Sequence, residues 1–289
     1  MTAGATTRAA TMRAVVLGGP RSARVAQVDV PQPKPGEVLV RIEGCGVCAS
    51  SLPVWEGRPW FAYPLTPGAP GHEAWGRLED GTRVAVLTQS GFAERAVVPE
   101  AETVELPESL DDRPFPGEAL ACAVNVVRRS DVRAGARVAV VGVGFLGGAV
   151  AQLCRAAGAV VHEVRRSTDV TALECDRVIE CAGTQEALDV ASRLVATRGR
   201  LVIAGFHQDG PRTIDLQSWN WRGIDVINAH ERDSSAVVDV MREAAELAAD
   251  GVLDVDALVT HRFGLDELGA AFEAARARPP GFVKGWVAP

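Results

Sequence analysis

The stretch ARVAVVGVGFLGGAVAQLCRAAGA, Ala136 to Ala159, sets how the rest of the chain is read. An apolar run over Val138–Val141 ends in Gly142, Gly144 and Gly147, spaced G-x-G-x-x-G, and an Ala-rich helical pattern follows. Glycines at this spacing are weak evidence alone, but between a strand and a helix each has a task. Gly142 permits a tight turn, Gly144 lets the backbone approach a diphosphate, and Gly147 allows the helix to pack closely. The loop Gly142, Gly144, Phe145, Leu146 and Gly147 is therefore the expected phosphate cradle of a dinucleotide site.

Downstream the same alternation continues: AVVHEV, CDRVIECAG, a helical EALDVASRLVA, RGRLVIAGF, GIDVIN and a helical SAVVDVMREAAELAADG. Strand alternating with helix predicts an α/β fold with a doubly wound parallel sheet. Upstream, from Met12 to about Pro99, the signals are short and β-like (MRAVVL, GEVLVRIEG, TRVAVL, FAERAVV) and separated by Pro and Gly, as in a small irregular β domain. After Leu258 come VTHRF, an amphipathic LDELGAAFEAARA and a final GFVKGWV.

At 289 residues the chain has room for two domains, and 47% hydrophobic with 23% charged residues is a globular composition. No apolar run approaches the roughly 18 residues of a membrane span, so no membrane partner is expected. The first eleven residues, MTAGATTRAAT, lack the apolar centre of a signal peptide, so a flexible tail and a cytoplasmic protein are expected. A net charge of -7 without a long basic run argues against nucleic acid. Lysine occurs only at Lys34 and Lys284, which reads as compositional bias. Six cysteines without a secretory signal suit packed thiols, ligands or catalytic groups better than a disulfide framework.

The end of the second strand of the α/β part bears on the cofactor. There HEVRRST places Arg165, Arg166 and Ser167 where a 2′-phosphate would lie, with Glu163 slightly early for a ribose hydroxyl. Two guanidiniums and a hydroxyl suit a dianion, so NADP(H) is expected over NAD(H).

A second constellation lies upstream. GCGVCASS carries Cys45 and Cys48, and PGHEAWG carries His72 and Glu73. Thiolate and imidazole are ligands zinc prefers, and a catalytic site needs three protein donors with a fourth position open. PGEALACAVNVV offers either Glu118 or Cys122 as the third. The C-x-x-C pair itself could also suggest a zinc finger or a redox dithiol, but no second C-x-x-C exists to complete a finger.

Taken in order, Gly-Val-Cys48-x-Ser50, Gly71-His72-Glu73, Glu118-Ala-Leu-Ala-Cys122 and Gly142-x-Gly144-x-x-Gly147 resemble the zinc-dependent medium-chain alcohol dehydrogenases, especially the polyol and sorbitol dehydrogenase branch. The resemblance implies a GroES-like β-rich catalytic domain over residues 12–120 and 256–289, a Rossmann domain over 121–255, and a tail over 1–11. It also implies an NAD(P)-dependent enzyme acting on a small-molecule alcohol or carbonyl, and a homodimer or homotetramer built partly through GIDVIN. Cys48, His72 and Glu118 correspond to ligands of one catalytic zinc, with Cys122 near the cysteine of the simple alcohol branch. Ser50 corresponds to the proton-relaying hydroxyl, and Glu73 to a glutamate that supports the metal. Cys45 is expected to be a packed thiol.

Three departures stand out. Ser51 replaces an Asp that would hydrogen-bond the ligand histidine, Pro53 replaces a relay histidine, and the four-cysteine lobe of a structural zinc is missing between TRVAVLTQ and SGFAERAVV. His207 and His230 follow strands and so border the ligand crevice, while Trp55, Trp60, Phe61, Tyr63, Trp219 and Trp221 serve equally as pocket walls or as packing. Two other readings stay open: a zinc-free enone or quinone reductase of the same superfamily, and a non-catalytic NADPH-binding scaffold.

Overall fold

A computed structural model describes residues 10–289. The expected tail at residues 1–9 lies outside the described residues, and Thr11 already pairs with Asp29. Strands β1 (Thr11–Gly19) and β2 (Ser22–Asp29) form an antiparallel hairpin. Next come β3 (Glu37–Gly46), the short α1 (Leu52–Glu56), β4 (Glu73–Arg77), β5 (Arg83–Val86), β6 (Arg95–Pro99) and β7 (Thr103–Glu105). The chain passes from β5 to β6 through Leu87–Glu94, a segment without cysteine.

Helix α2 (Gly117–Ser130) leads to the α/β part: β8 (Arg137–Val141), α3 (Phe145–Ala156), β9 (Val160–Val164), β10 (Cys175–Glu180), α4 (Gln185–Leu194), β11 (Val195–Ile203), α5 (Leu216–Arg222), β12 (Asp225–Asn228) and α6 (Ser234–Ala249). The five strands are all parallel, in the order β12-β11-β10-β8-β9. β8 shows why: RVAVV is buried on both faces, with Val138 and Val140 packed beneath α2, α3 and α6, and Ala139 and Val141 against α4. Among the described residues no strand flanks β9 on its outer side, where a six-stranded doubly wound sheet has one. The chain runs from β9 through Arg165–Glu174 straight to β10 with no helix, as the short RRSTDVTALE spacing predicts.

The chain then returns through α7 (Val255–Leu258), β13 (His261–Gly264), α8 (Leu268–Ala277) and β14 (Gly285–Ala288). β14 pairs with β3, Trp286 opposite Gly46 and Val287 opposite Cys45, so the end of the chain completes the sheet that its beginning started. Phe272 of α8 is wholly buried, stacked on Trp55 at 5.2 Å and edge-on to Phe92 at 6.1 Å. The boundaries expected at 120/121 and 255/256 fall inside α2 and α7. A helix is one hydrogen-bonded unit, so α2 joins the two cores rather than separating them.

Candidate active site

The reversal of strand order between β8 and β10 opens a crevice at the C-terminal ends of those strands. The two loops that line it touch. Gly142 has φ +93, and a Cβ there would meet the Ala182 side chain at 2.7 Å, while a Cβ on Gly147 would lie 2.1 Å from the Gly142 carbonyl oxygen. Both glycines are thus required by geometry. Gly144 is the N-cap of α3 and adds no side-chain cap, so the first amides of that helix face the crevice. Phe145 and Leu146 are partly buried against the α/β core.

The upstream constellation converges as well. Cys48 leaves β3 and opens a single 3-10 turn containing Ser50, and His72 immediately precedes β4. Cys48, His72 and Glu73 each present a donor atom within 4.8 Å of the others. The Ser50 hydroxyl donates to Cys48 Sγ at 3.1 Å and lies 3.4 Å from His72 Nε2. His72 Nδ1 sits 3.0 Å from the Pro70 carbonyl oxygen. A carbonyl only accepts, so Nδ1 carries a proton, and Nε2 is the ring nitrogen turned to the site. The missing Asp at Ser51 is thereby explained: orientation of His72 comes from the backbone of the preceding turn.

Glu118 lies in the first turn of α2, and its carboxylate falls outside the 4.8 Å set. It accepts the Cys122 thiol at 3.4 Å and has no ion-pair partner among the described residues. Burial raises its pKa, and burial also holds the Cys122 and Cys45 thiols well above their ordinary values. Cys45 is a packed thiol at 0% exposure. Burial alone would lower the pKa of His72, but Cys48, Glu73 and Glu118 outweigh it and lift the imidazole to about 10. Two carboxylates therefore act on the Cys48–His72 pair.

One cation enters from the end of the chain. Lys284, at 5% exposure, hydrogen-bonds Glu73 Oε1 at 2.8 Å and lies 2.7 Å from Oε2, and Glu73 itself is at 0% exposure. Gly46 leaves room for the pair, since a Cβ there would be 1.9 Å from Glu73 Oε2. The Lys284 ammonium also lies 4.3 Å from the centre of the Phe145 ring in the phosphate cradle. Burial opposes its charge, but Glu73, Cys48 and Glu118 more than compensate and raise its pKa. Beside this cluster a cavity of about 470 Å³ is lined by His72, Glu118, Thr88, Gln89, His230 and Arg232, among others.

Residues 34–108 match the Alcohol dehydrogenase GroES-like domain. L-galactonate-5-dehydrogenase of Escherichia coli is 22% identical over 95% of this chain and 98% of its own. A probable zinc-binding alcohol dehydrogenase of Mycobacterium tuberculosis is 25% identical over 92% of this chain and 86% of its own. The crystal structure of a zinc-binding dehydrogenase from Sinorhizobium meliloti 1021 bound to NADP superposes with a TM-score of 0.82 at 26% identity, covering 97% of this chain and 100% of that one. Over nearly its whole length the chain is thus similar to alcohol dehydrogenases of the zinc-binding type.

The other sequence candidates sort by their partners. Arg165 hydrogen-bonds Glu163 and reaches the Val143 carbonyl at 3.3 Å, while Arg166 and Ser167 are exposed beside it. His207 is committed on both nitrogens: Arg212 donates to Nδ1 at 2.9 Å, and Nε2 lies 3.0 Å from the fully buried Glu180. That leaves it no free nitrogen for substrate. Trp55 and Trp219 are buried packing residues, whereas Trp60 and Trp221 are exposed away from the cavity. Lys284 is the site residue that sequence reasoning missed. Its signal was present, a lone lysine just before the C-terminal strand of a chain whose Lys and Arg residues, Lys34 apart, are otherwise all arginine.

Lys284→Met leaves Glu73 buried without its counter-charge and is expected to cost about 3–5 kcal/mol in urea unfolding. Adding Glu73→Gln removes the stranded charge, and the double variant is expected to recover most of that loss.

Proposed function

We propose that this dehydrogenase is zinc-dependent and NADP(H)-linked, interconverting a secondary alcohol (a polyol, cyclitol or biosynthetic intermediate) with its ketone or aldehyde. The observation that carries this reading is the convergence of Cys48, His72 and a carboxylate beside the glycine cradle. The donor set suits zinc: a cysteine sulfur, an imidazole with Nε2 turned to the site by the Pro70 contact, and buried carboxylates. We infer Cys48, His72 and Glu118 as ligands, with Glu73 as the supporting carboxylate. Glu73 is already neutralised by Lys284, whereas Glu118 is buried with no ion-pair partner among the described residues.

Held by these residues, a zinc ion would supply Lewis acidity and a nicotinamide cofactor would supply hydride chemistry. This chain's own residues do the rest. Ser50, within hydrogen-bond reach of both Cys48 and His72, is placed to take up and return the substrate proton. Pro53 is buried in α1 and offers no polar side-chain atom, so the proton leaves Ser50 toward water or a ribose hydroxyl. The cavity beside His72 and Glu118 is the one we assign to the substrate, where Thr88, Gln89, His230 and Arg232 can meet hydroxyl groups and Leu87 and Val237 the carbon skeleton. The cytoplasm is the compartment we assign, with all six cysteines free. Assembly as a homodimer or homotetramer uses the β12 edge and the exposed Trp221, and light scattering at the 30.5 kDa of a single chain overturns that part.

For the metal, elemental analysis is expected to find one zinc per wild-type chain. Loss of it in Cys48→Ala and Glu118→Ala is expected, with retention in Cys122→Ala and Glu73→Gln. Zinc retained in Glu118→Ala but lost in Glu73→Gln reverses the ligand assignment, and full activity without metal overturns the zinc reading.

For the cofactor, Glu163 is occupied by Arg155 at 2.7 Å and by Arg165 at 3.3 Å, so the acidic group nearest the ribose position is not free. NADPH is expected to bind at least about tenfold tighter than NADH, a difference of about 1.4 kcal/mol. Equal or tighter binding of NADH contradicts the preference.

A further inference from the structure

We propose that His207 is a positioning residue for the nicotinamide half of the dinucleotide, held as a neutral imidazole between Glu180 and Arg212 so that the loops after β10 and β11 form one fixed wall of the crevice. The inference rests on the nicotinamide-cofactor reading above and extends it to the residues that place the reacting ring. A doubly wound sheet binds a dinucleotide as two halves, one on either side of the strand that carries the glycine loop. Arg165, Arg166 and Ser167 follow β9, so the adenosine half falls on that side of β8 and the nicotinamide half on the side of β10, β11 and β12.

On that side the wall is built from loops that glycine brings close together. A Cβ on Gly205 would lie 2.2 Å from the Gly183 amide nitrogen and 2.7 Å from Glu180 Oε2, and one on Gly183, at φ +72, would lie 2.5 Å from the Phe206 carbonyl oxygen. Glycine backbone has no side chain to anchor it, and a chain of polar contacts supplies the anchor instead. Glu180, at 0% exposure, accepts the Ala182 amide at 2.8 Å and the Gly183 amide at 2.7 Å on Oε1, while its Oε2 lies 3.0 Å from His207 Nε2. Arg212 donates from Nε to His207 Nδ1 at 2.9 Å, and from Nη2 to the Gly183 carbonyl at 2.9 Å and to Asp209 at 2.6 Å. A guanidinium only donates, so Nδ1 carries no proton; Nε2 carries it and donates to Glu180. The circuit closes on itself, from carboxylate to imidazole to guanidinium and back to the loop that the carboxylate holds.

Stability is a weak reason for such a circuit, since replacing a buried charged network by apolar residues often leaves a fold as stable or more so. What the circuit fixes is the C-terminal end of β10 and β11 where it abuts the cradle, a Cβ on Gly142 being 2.7 Å from the Ala182 side chain. A wall fixed there sets where a ring resting against it lies, and a misplacement of about 1 Å is enough to slow a transfer about a hundredfold.

The test compares His207→Ala and His207→Gln in the full-length protein, titrated with NADPH and with 2′-phospho-ADP-ribose, which keeps the adenosine and the diphosphate but lacks the nicotinamide. Wild type is expected to bind NADPH about tenfold tighter than the analogue. In His207→Ala that advantage is expected to shrink to about twofold or less with the analogue's own Kd unchanged. His207→Gln is expected to restore it, because glutamine keeps a donor for Glu180 and an acceptor for Arg212. Arg212→Met, which leaves Glu180 and His207 in contact, is expected to show a partial loss and carries the test if His207→Ala fails to fold. If NADH proves the tighter cofactor, NADH and ADP-ribose form the pair instead. An advantage absent in wild type or unchanged in the variants overturns the proposal alone, as does equal weakening of both ligands. Wild type that binds neither NADPH nor NADH overturns this proposal and the cofactor reading together.

Discussion

The ion pair between Lys284 and Glu73 holds three distant parts of the chain in one place. Lys284 precedes the last strand, Glu73 opens the strand after the histidine turn, and Phe145 beneath the ammonium belongs to the phosphate cradle. Two charges withdrawn from water are costly unless each answers the other, so neither residue tolerates displacement. β14 must run beside β3, Gly46 must lack a side chain, and the β-rich part must meet the α/β part at the start of α3. The position of Cys48 follows, because it leaves the same strand two residues beyond Gly46.

Around this pair the site gathers a thiol, an imidazole and a second buried carboxylate. Glu118 has no cation within salt-bridge reach among the described residues, and His72 is driven toward protonation by the anions beside it. Such an arrangement is poorly satisfied by protein groups alone and well satisfied by a divalent cation. The histidine that would bind it is oriented by a main-chain carbonyl, which cannot be lost by substitution at Ser51. His207 shows the opposite case, a histidine at the crevice wholly used by Glu180 and Arg212 to tie two loops together.

Much of this was legible in the chain. G-x-G-x-x-G between a buried strand and an Ala-rich helix placed the cradle, because only glycine tolerates the Gly142 conformation and the Gly147 contact. Every strand and helix from β8 to α6 was readable from runs of apolar residues, with α5 the exception. Cys48 and His72 were readable as a pair from residue chemistry, and Glu73 joined them through the resemblance. Less legible were the helix that spans the expected domain boundary and the partner of each charged side chain. These depend on which strands become neighbours, and β14 lies some 240 residues from β3.

By itself, then, the sequence determined the local elements, the glycine cradle and the kinds of donor atom available, since these follow from backbone freedom, periodicity and side-chain chemistry. Only the tertiary structure decided that Glu73 rather than Glu118 shares the 4.8 Å cluster with Cys48 and His72, that Pro70 aims the histidine, and that Lys284 is a buried counter-ion. The physical reason is that desolvation and ion pairing depend on distance in space, and the strand pairing that sets those distances joins residues far apart along the chain.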